Sequence, residues 1–497
     1  SALQYLAHVF GATQGHACIA FGTDGYVDAG KYRFPAGGFE QAFYRWPTDA
    51  DTLLGDAGLD TLKGASGNDF IYGGDGADRL EGEDGNDYLE GNAGDDLIYG
   101  GANNDTILGG AGADTLAGQG GTNYLTGGAD ADTFLFGTDA GSTDYITDWG
   151  DGSDVLSGSL GSGSVLYVTM TGSNFDASAI ASVNGAVYVI GSADADYITG
   201  GAGNDTFFGG AGVDSMIGGG GNNVYIISDA NHHDLGERIT GGSGTDVIRY
   251  TSSTSTETLF LRSGVSGGTS GDTVVSVVIS DISGATTGTA DVNVNANDLT
   301  INQAVSIVGN DGNNVLTANT DGLSTLSGQG GNDTLIGGWL DDYLMGGAGL
   351  DSLFGDSGAD TLFGGLGADW LDGGVGNDLY QYVNAGESKA AGLDVINWVS
   401  GDSIDLGYVN SVIGDPGSSK IEGMGDLLSS ALDALAAWNQ VNQGLMVFVM
   451  NNGDTYAYLE AVGSGNAYQP DDLVIKLLGV GLGQSVVIDG LTFSPGA

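Results

Sequence analysis

The sequence predicts an all-β protein built mostly as a parallel solenoid, and two observations carry this prediction. The stretch from Trp46 to Leu135 divides into ten consecutive blocks of nine residues, such as GGDGADRLE from Gly73. The eighth residue of every block is apolar, and the sixth is Asp in all blocks except one, where it is Asn123. A fixed short period of this kind indicates a repeat architecture whose units stack on their neighbours.

Each block is interpreted as a tight turn followed by a short strand. The first six residues are rich in Gly, which enters positive φ without a steric penalty. The last three residues form a strand whose central apolar side chain points inward. Two blocks then complete one coil of about 18 residues, so the turns stack along two edges.

The aspartates at position six are predicted to form one column along each edge. Carboxylates beside bare backbone carbonyls offer hard oxygen ligands, which suit Ca²⁺ better than a soft or small cation. In the first array one edge carries Asp60, Asp78, Asp96 and Asp114, the other carries Asp51, Asp69, Asp87 and Asp105, and Asp132 holds position six of the last block.

Two further arrays repeat the pattern. Residues 191–226 carry Asp196, Asp205 and Asp214 at position six, and residues 309–381 carry Asp333, Asp342, Asp351, Asp360, Asp369 and Asp378. These aspartates are also predicted calcium ligands. The first array contains Asn123 near its end and the second ends on Asn223, which we interpret as the finish of the calcium ladder.

The blocks resemble the RTX (repeats-in-toxin) family, whose consensus is G-G-x-G-x-D-x-U-x with U apolar. The resemblance covers residues 46–497 and is most specific in the arrays. It implies parallel β-rolls in which Ca²⁺ lies between successive turns, held by the position-six Asp and by loop carbonyls. On that basis we expect on the order of 10–20 bound Ca²⁺, roughly one per interior repeat interface.

The composition agrees with a fold that depends on cations. The chain has 497 residues, 94 of them Gly, and its net charge is −53. Such self-repulsion opposes a compact state unless cations neutralise it, so we expect folding coupled to Ca²⁺ binding. The excess of acids argues against nucleic acid and anionic membranes as partners. The single Cys18 excludes an internal disulfide.

The arrays set the predicted domain organisation. The N-terminal segment is either a cap for the first coil or an assembly contact. The segment after the second array is either an antiparallel insertion or a repeat-poor continuation of the solenoid. The predicted units are 1–45 (cap or assembly segment), 46–135 (first β-roll), 136–190 (β-rich connector), 191–226 (second array), 227–308 (β-rich insertion), 309–381 (third β-roll) and 382–497 (α+β cap).

The last of these units carries local signals of its own. Asp426–Trp438 has the apolar spacing of a helix, and LMVFVM and DTYAYLE are predicted to pair as strands around Asn451–Asp454. The resemblance implies that this region also carries a secretion signal of the type I route. Residues 1–25 show no N-terminal signal peptide, and no apolar window is long enough for a membrane span.

No strong catalytic motif is found, so we expect no enzymatic activity. An HExxH zinc motif is absent. The GxSxG match at Gly264–Gly268 lies in a Ser- and Gly-rich stretch, where such a match easily arises by chance. The adjacent His232 and His233 are better explained as a solvated loop than as metal ligands. Cys18 and His16 would point to opposite faces of a strand.

The sequence is compatible with three classes of function. The first is a calcium-dependent extracellular structural protein that self-assembles into a surface layer or filament, because three arrays separated by β-rich segments resemble RTX-type bacterial surface-layer proteins. The second is an RTX adhesin or binding module, which an exposed Trp or Tyr cluster in 136–190 or 227–308 would favour. The third is a secreted polysaccharide-modifying enzyme. The expected partners are further copies of the chain and cell-surface polysaccharide.

Overall fold

The computed structural model describes most of the repeat region and short parts of the two ends. The described residues are 32–33, 50–137, 140–150, 154–161, 163–172, 174–178, 185–228, 238–262, 265–266, 274–299, 302–382, 394–397, 399, 402–406, 445–449, 455–459, 473–478, 486–488 and 491–493. This part of the chain is all-β and contains no helix. The chain divides into unit 1 (1–225, 236–246 and 268–272) and unit 2 (226–235, 247–267 and 273–497).

Unit 1 consists of parallel strands that alternate between two sides of a solenoid. The first sheet contains β1 (Tyr32–Arg33), β2 (Thr52–Ala57), β4 (Phe70–Asp75), β6 (Tyr88–Ala93), β8 (Thr106–Ala111), β10 (Thr122–Ala129), β12 (Thr143–Trp149), β14 (Val165–Met170), β16 (Ala186–Ile190), β18 (Thr206–Phe208) and the start of β20 (Val224–Ile227).

The other side of unit 1 carries two shorter parallel sheets. One contains β3 (Thr61–Ser66), β5 (Arg79–Asp84), β7 (Leu97–Ala102), β9 (Thr115–Gln119), β11 (Thr133–Phe136) and β13 (Val155–Gly158). The next contains β15 (Asn174–Asp176), β17 (Tyr197–Thr199), β19 (Ser215–Gly220) and β21 (Arg238–Ser243).

Unit 2 has the same alternation of strands between two sheets. One sheet contains β22 (Val247–Tyr250), β25 (Val274–Ile279), β27 (Ala304–Val308), β29 (Ser324–Gly330), β31 (Tyr343–Gly349), β33 (Thr361–Gly367), β35 (Leu379–Tyr382), β37 (Ser403–Leu406), β41 (Val486–Ile488) and β42 (Leu491–Phe493). The other contains β23 (Thr258–Arg262), β26 (Asn293–Asp298), β28 (Val315–Thr317), β30 (Thr334–Ile336), β32 (Ser352–Phe354), β34 (Trp370–Asp372), β36 (Asp394–Asn397), β40 (Leu473–Leu478), β39 (Thr455–Leu459) and β38 (Leu445–Val449). The short β24 (Val265–Ser266) lies between β23 and β25 in the chain.

The predicted coil of two blocks is confirmed by the strand register. Leu62 of β3 is paired with Leu80 of β5, and Leu80 with Ile98 of β7, so each partner lies 18 residues further along the chain. The eighth residues of the first array are at most 1% exposed. Each fully buried aliphatic side chain of this kind contributes about 1.5–3 kcal/mol relative to an exposed one. The core is therefore a ladder of apolar residues between the two sheets.

The parallel ladder extends through segments that lack the nonapeptide consensus. In residues 136–190, β12, β14 and β16 pair in parallel. In the segment predicted as an insertion, β22, β25 and β27 form one parallel ladder and β23, β26 and β28 form another. Of the two interpretations left open for this segment, these pairings support the repeat-poor continuation of the solenoid.

Antiparallel pairing occurs near the C-terminus. Strands β38 and β39 pair antiparallel with Val449 opposite Thr455, as predicted for the hairpin around Asn451–Asp454, and β41 and β42 also pair antiparallel. The predicted helix at Asp426–Trp438 lies outside the described residues, as does nearly all of segment 1–45. No helix in the described part is long and apolar enough to span a membrane.

Candidate metal centre in the turn columns

All eighteen aspartates predicted as calcium ligands lie buried at the turns. None of them is more than 6% exposed. They share one position, immediately before the first residue of a strand, because the alternation of the strand turns the sixth and eighth side chains to the same inner side. A carboxylate buried in this way is unfavourable unless its oxygens find partners.

In most of these carboxylates, one oxygen has a partner that repeats along the column. The Oδ1 atom of Asp69 accepts the backbone N–H of Asp51 at 2.7 Å, and Oδ1 of Asp87 accepts that of Asp69 at 2.8 Å. The same bond, over 18 residues, joins Asp342 to Asp360 and Asp360 to Asp378 in the third array. The predicted aspartate columns are therefore brought together by the fold, with each side chain tied to the preceding coil.

The second oxygen, Oδ2, is buried without a hydrogen-bond partner in most of the predicted ligands. This holds for Asp60, Asp69, Asp78, Asp87, Asp96, Asp105, Asp114, Asp333, Asp351, Asp360, Asp369 and Asp378. The remaining predicted ligands Asp51, Asp132 and Asp214 are buried in the same columns. A dozen buried oxygens of one kind in one structural position indicate a common missing partner.

A small space lies beside each of these oxygens, and the glycine at position one keeps it open. A Cβ atom added to Gly73 would lie 2.5 Å from Oδ2 of Asp78 and 2.8 Å from the backbone carbonyl oxygen of Gly91 on the next coil. The same neighbours recur around Gly55, Gly64, Gly82, Gly91, Gly100 and Gly109. A carboxylate oxygen and a carbonyl oxygen therefore face the same space.

The turn backbone beside this space is left-handed at position two. Glycines take this position in several blocks, but Asp56, Ala65, Glu83 and Asn92 also have φ between 69° and 79°. Non-glycine residues pay about 1–2 kcal/mol for this conformation, so the surrounding coils must enforce it. The conformation leaves Oδ2 without an N–H from its own turn.

Burial raises the pKa of these carboxyls. The pKa of Asp105 and that of Asp360 rise to about 8. Desolvation is the largest cause, the N–H bond to Oδ1 opposes it, and the like charges of column neighbours add to it. A cation that binds these oxygens offsets both the cost of desolvating the carboxylates and the repulsion between them. The residues therefore fit Ca²⁺, which binds carboxylate and carbonyl oxygens.

Three predicted ligands differ from the rest. The Oδ2 atoms of Asp196, Asp205 and Asp342 accept the backbone N–H of position two in their own turn, at 2.7, 2.9 and 2.6 Å. Position two is not left-handed in any of these three turns. We call them the amide-closed turns, and we call the turns that contain the unpartnered Oδ2 atoms the open turns.

The columns continue past the predicted ligands onto aspartates that the sequence reading did not assign. Oδ1 of Asp246 accepts the N–H of Asn223 at 2.8 Å, and Oδ1 of Asp394 accepts that of Asp369 at 2.9 Å. Asp402 receives the N–H of Asp378 at 3.2 Å. The intervals of 23–25 residues hide these positions from a search for a period of nine. A sequence signal that predicts these positions is an Asp at, or directly before, the first residue of a strand with alternating apolar residues.

The other sequence candidates are not brought to a site. His232, His233, His16, Cys18 and most of the GxSxG match lie outside the described residues. Within the described residues, no three His, Cys, Asp or Glu side chains converge closely enough to hold a metal ion by themselves. In the columns, backbone carbonyls would therefore have to complete a coordination shell.

Comparison with protein families agrees with the geometry of the columns. A family model described as the RTX calcium-binding nonapeptide repeat matches residues 48–80, 72–107, 81–116, 99–134, 108–141, 190–225, 319–353 and 345–380. These matches coincide with the three arrays, and RTX repeats are typical of extracellular proteins. No curated protein matches the whole chain closely enough to count as a relative. The repeat matches and the parallel coils together show that the chain carries RTX calcium-binding nonapeptide repeats folded as parallel β-rolls.

Proposed function

We propose that the protein is a calcium-dependent extracellular structural protein, whose β-rolls become rigid on binding Ca²⁺ and self-assemble into a surface layer or filament. The observation that carries the calcium part is the row of buried Oδ2 atoms without hydrogen-bond partners in the open turns. The space beside each of them also meets a carbonyl oxygen of the next coil.

The residues of the open turns determine where the ion is held. Asp69, Asp87 and their column neighbours supply one carboxylate oxygen each, and position-one glycines of the following coil supply carbonyl oxygens. Bound Ca²⁺ supplies the positive charge that offsets the burial and mutual repulsion of these carboxylates. The N–H bond to Oδ1 holds each carboxylate in place, so binding on one coil also fixes the next.

The net charge of −53 explains why the ion would control folding. Without cations, two columns of like charges inside the solenoid oppose the coils that bring them together. With cations, the same columns connect successive coils from within. We therefore expect removal of calcium to lower the stability of the protein strongly, and the calcium-bound protein to be a stiff β-roll.

An adhesin or binding module is the second candidate function. It is favoured by one observation, a row of outward tyrosines in which Tyr145 stacks on Tyr124 and Tyr167 at ring distances of 4.9 and 4.6 Å. An enzymatic role, such as polysaccharide modification, has no comparable support among the described residues. We expect no catalytic activity.

Electron microscopy together with calcium binding tests the proposal. Purified protein is imaged in millimolar CaCl₂ and in excess EGTA, and its calcium stoichiometry is measured by equilibrium dialysis. Sheets or filaments that form only with calcium, at a stoichiometry on the order of ten or more, are the expected result. Calcium binding without assembly would reject the structural role, and absence of calcium binding would reject the whole proposal.

A further inference from the structure

The outer surface of the first sheet of unit 1 is aromatic and almost free of charge. In strands β2 to β18 the residues on either side of the buried eighth position point outward and form two columns. The first column is in register throughout, and the second crosses a register shift that follows Ile146 in β12. We call this surface the aromatic face. One column is Thr52, Phe70, Tyr88, Thr106, Tyr124, Tyr145, Tyr167, Tyr188 and Thr206, and the other is Leu54, Tyr72, Glu90, Leu108, Thr126, Thr147, Thr169, Ile190 and Phe208.

Charge distinguishes the aromatic face from the opposite side of unit 1. Among the described positions of this face, only Glu90 carries a charge at neutral pH. Its carboxylate accepts a hydrogen bond from the Tyr88 hydroxyl at 3.0 Å. The opposite side of unit 1 instead carries ion pairs of Glu81 with Lys63 and Arg79. In a chain with 64 acidic residues, this face allows two copies to approach without bringing many carboxylates together.

The tyrosines form a stacked row along this face. Tyr124 and Tyr145 are 4.9 Å apart with planes tilted by 12°, and Tyr145 and Tyr167 are 4.6 Å apart with planes tilted by 9°. Tyr188 continues the row at 5.3 Å from Tyr167. The ring faces of Tyr124, Tyr145 and Tyr167 are therefore packed against each other.

The hydroxyls make the face complementary to a copy of itself. Tyrosine and threonine hydroxyls each donate and accept hydrogen bonds, and Thr126 and Thr147 already exchange one across neighbouring strands at 2.8 Å. Nonpolar groups lie between the hydroxyls, including Phe70 and Tyr124, which are each 49% exposed. Aromatic residues are enriched at protein interfaces, whereas acidic residues are depleted there.

We propose that the aromatic face is a self-association surface, whose partner is the same face of a second copy of this chain. The inference rests on the proposed structural function and names one contact of the assembly, since a pair of identical faces closes as a dimer and a layer or filament needs a further contact. Nine strands about 4.8 Å apart give a length of about 40 Å. With a width of about 15 Å, two such faces bury about 1,200 Å², which is the lower limit for a specific interface. Calcium promotes this contact indirectly, because the columns of the aromatic face are aligned only when the coils are folded.

Sedimentation equilibrium of the full chain in millimolar CaCl₂ tests this contact. Tyr124→Ser removes an exposed ring, and the double variant Thr147→Glu with Thr169→Glu places charges at two exposed positions. The control is Tyr197→Ser on the opposite side of the solenoid, where Tyr197 is 47% exposed and thus matches Tyr124. Thr199→Glu on the same strand is the control for added charge.

We expect the face variants to raise the dissociation constant of self-association at least about tenfold, since like charges facing each other across an interface are strongly unfavourable. The two controls should leave it within about twofold of the unsubstituted protein. Calcium stoichiometry measured on the same samples separates a failed contact from a failed fold. A monomeric unsubstituted protein with full calcium binding would overturn the inference. Equal weakening by face and control variants would overturn it as well.

Discussion

The side-chain amide of Asn123 donates a hydrogen bond of 2.8 Å to a carboxylate oxygen of Asp144, the next member of its column. In preceding turns of the same column, the corresponding atom is an Oδ2 without a hydrogen-bond partner. The amide nitrogen therefore takes the position that a carboxylate oxygen has elsewhere and neutralises part of the charge of Asp144. Asn123 ends the run of open turns with a bond that needs no ion.

The first prediction concerns the replacement of Asn123 by an aspartate. Asn123→Asp replaces the hydrogen bond by two buried carboxylates and creates a turn like its neighbours. We expect the melting temperature in EGTA to fall by several degrees, since a buried charge pair of this kind costs about 1–3 kcal/mol. Saturating calcium should restore it. Thermal unfolding with both additives measures the difference.

The control for this variant is Asn104→Asp at an exposed turn position of the same array. The Oδ1 atom of Asn104 accepts the N–H of Thr122, which an aspartate can also accept. If Asn123→Asp lowered stability in EGTA no more than this control, the interpretation of Asn123 as the end of the ladder would be wrong.

The second prediction separates open from amide-closed turns. Asp87→Asn should lower the calcium stoichiometry by about one, because it removes an unpartnered Oδ2 in an open turn. Asp205→Asn should leave the stoichiometry unchanged, because its Oδ2 is already bound to the Gly201 N–H. Equilibrium dialysis with radioactive calcium counts the ions. Loss of an ion in Asp205→Asn would show that the amide-closed turns also bind.

Stability provides an independent check on the same two variants. Asp205→Asn places a side-chain amide against the Gly201 N–H, so it should destabilise the protein with and without calcium. Asp87→Asn should destabilise it mainly in the presence of calcium, where the lost ion matters. A chemical denaturation series in each condition therefore distinguishes loss of a ligand from loss of a hydrogen bond.

The strongest local patterns of the sequence predicted the coils correctly. The inward eighth residues, such as Leu80, and the buried sixth residues, such as Asp78, are both explained by a strand period of two after each turn. The periodicity also predicted the partner of each coil. For segment 227–308 the sequence allows both an antiparallel insertion and a continuation of the solenoid, because alternating valines such as Val275 and Val277 fit parallel and antiparallel strands equally well.

The difference between open and amide-closed turns was invisible in the sequence. The block at 200–208 begins GGAGND and matches the repeat consensus, yet its Gly201 is not left-handed, whereas Gly110 in the block GGAGADTLA has φ of 122°. Glycine permits both conformations at similar cost. The neighbouring coil decides between them, and a local motif does not contain that information.

The third prediction concerns the space beside the carboxylates. Gly73→Ala adds a Cβ that would lie 2.5 Å from Oδ2 of Asp78 and 2.8 Å from the Gly91 carbonyl. We expect loss of about one bound calcium and a destabilisation of about 1–3 kcal/mol from overpacking. Gly120→Ala is the matched control, because its nearest atom would be 3.6 Å away. Similar effects of both substitutions would indicate a general intolerance of turn glycines and no specific site.

The fourth prediction is that the metal-free protein is less stable at pH 8 than at pH 6. Burial raises the pKa of Asp105 and that of Asp360 to about 8 and that of Asp351 to about 7, above the unfolded value of about 3.9. A raised carboxyl pKa contributes stability that is complete below the unfolded pKa and lost as pH rises through the folded pKa. For each such group the loss approaches about 1.4 kcal/mol per pH unit.

The pH window isolates the buried groups, because exposed carboxylates have finished titrating by about pH 6. Urea denaturation of metal-free protein at pH 6, 7 and 8 measures the slope, and Asp105→Asn should reduce it. Saturating calcium should remove most of this slope, because binding requires the ionised carboxylates and folding then no longer changes the number of bound protons. Stability of the metal-free protein that rose from pH 6 to pH 8 would mean that the columns are ionised and compensated without metal, and the calcium-dependent fold would then lose its physical basis.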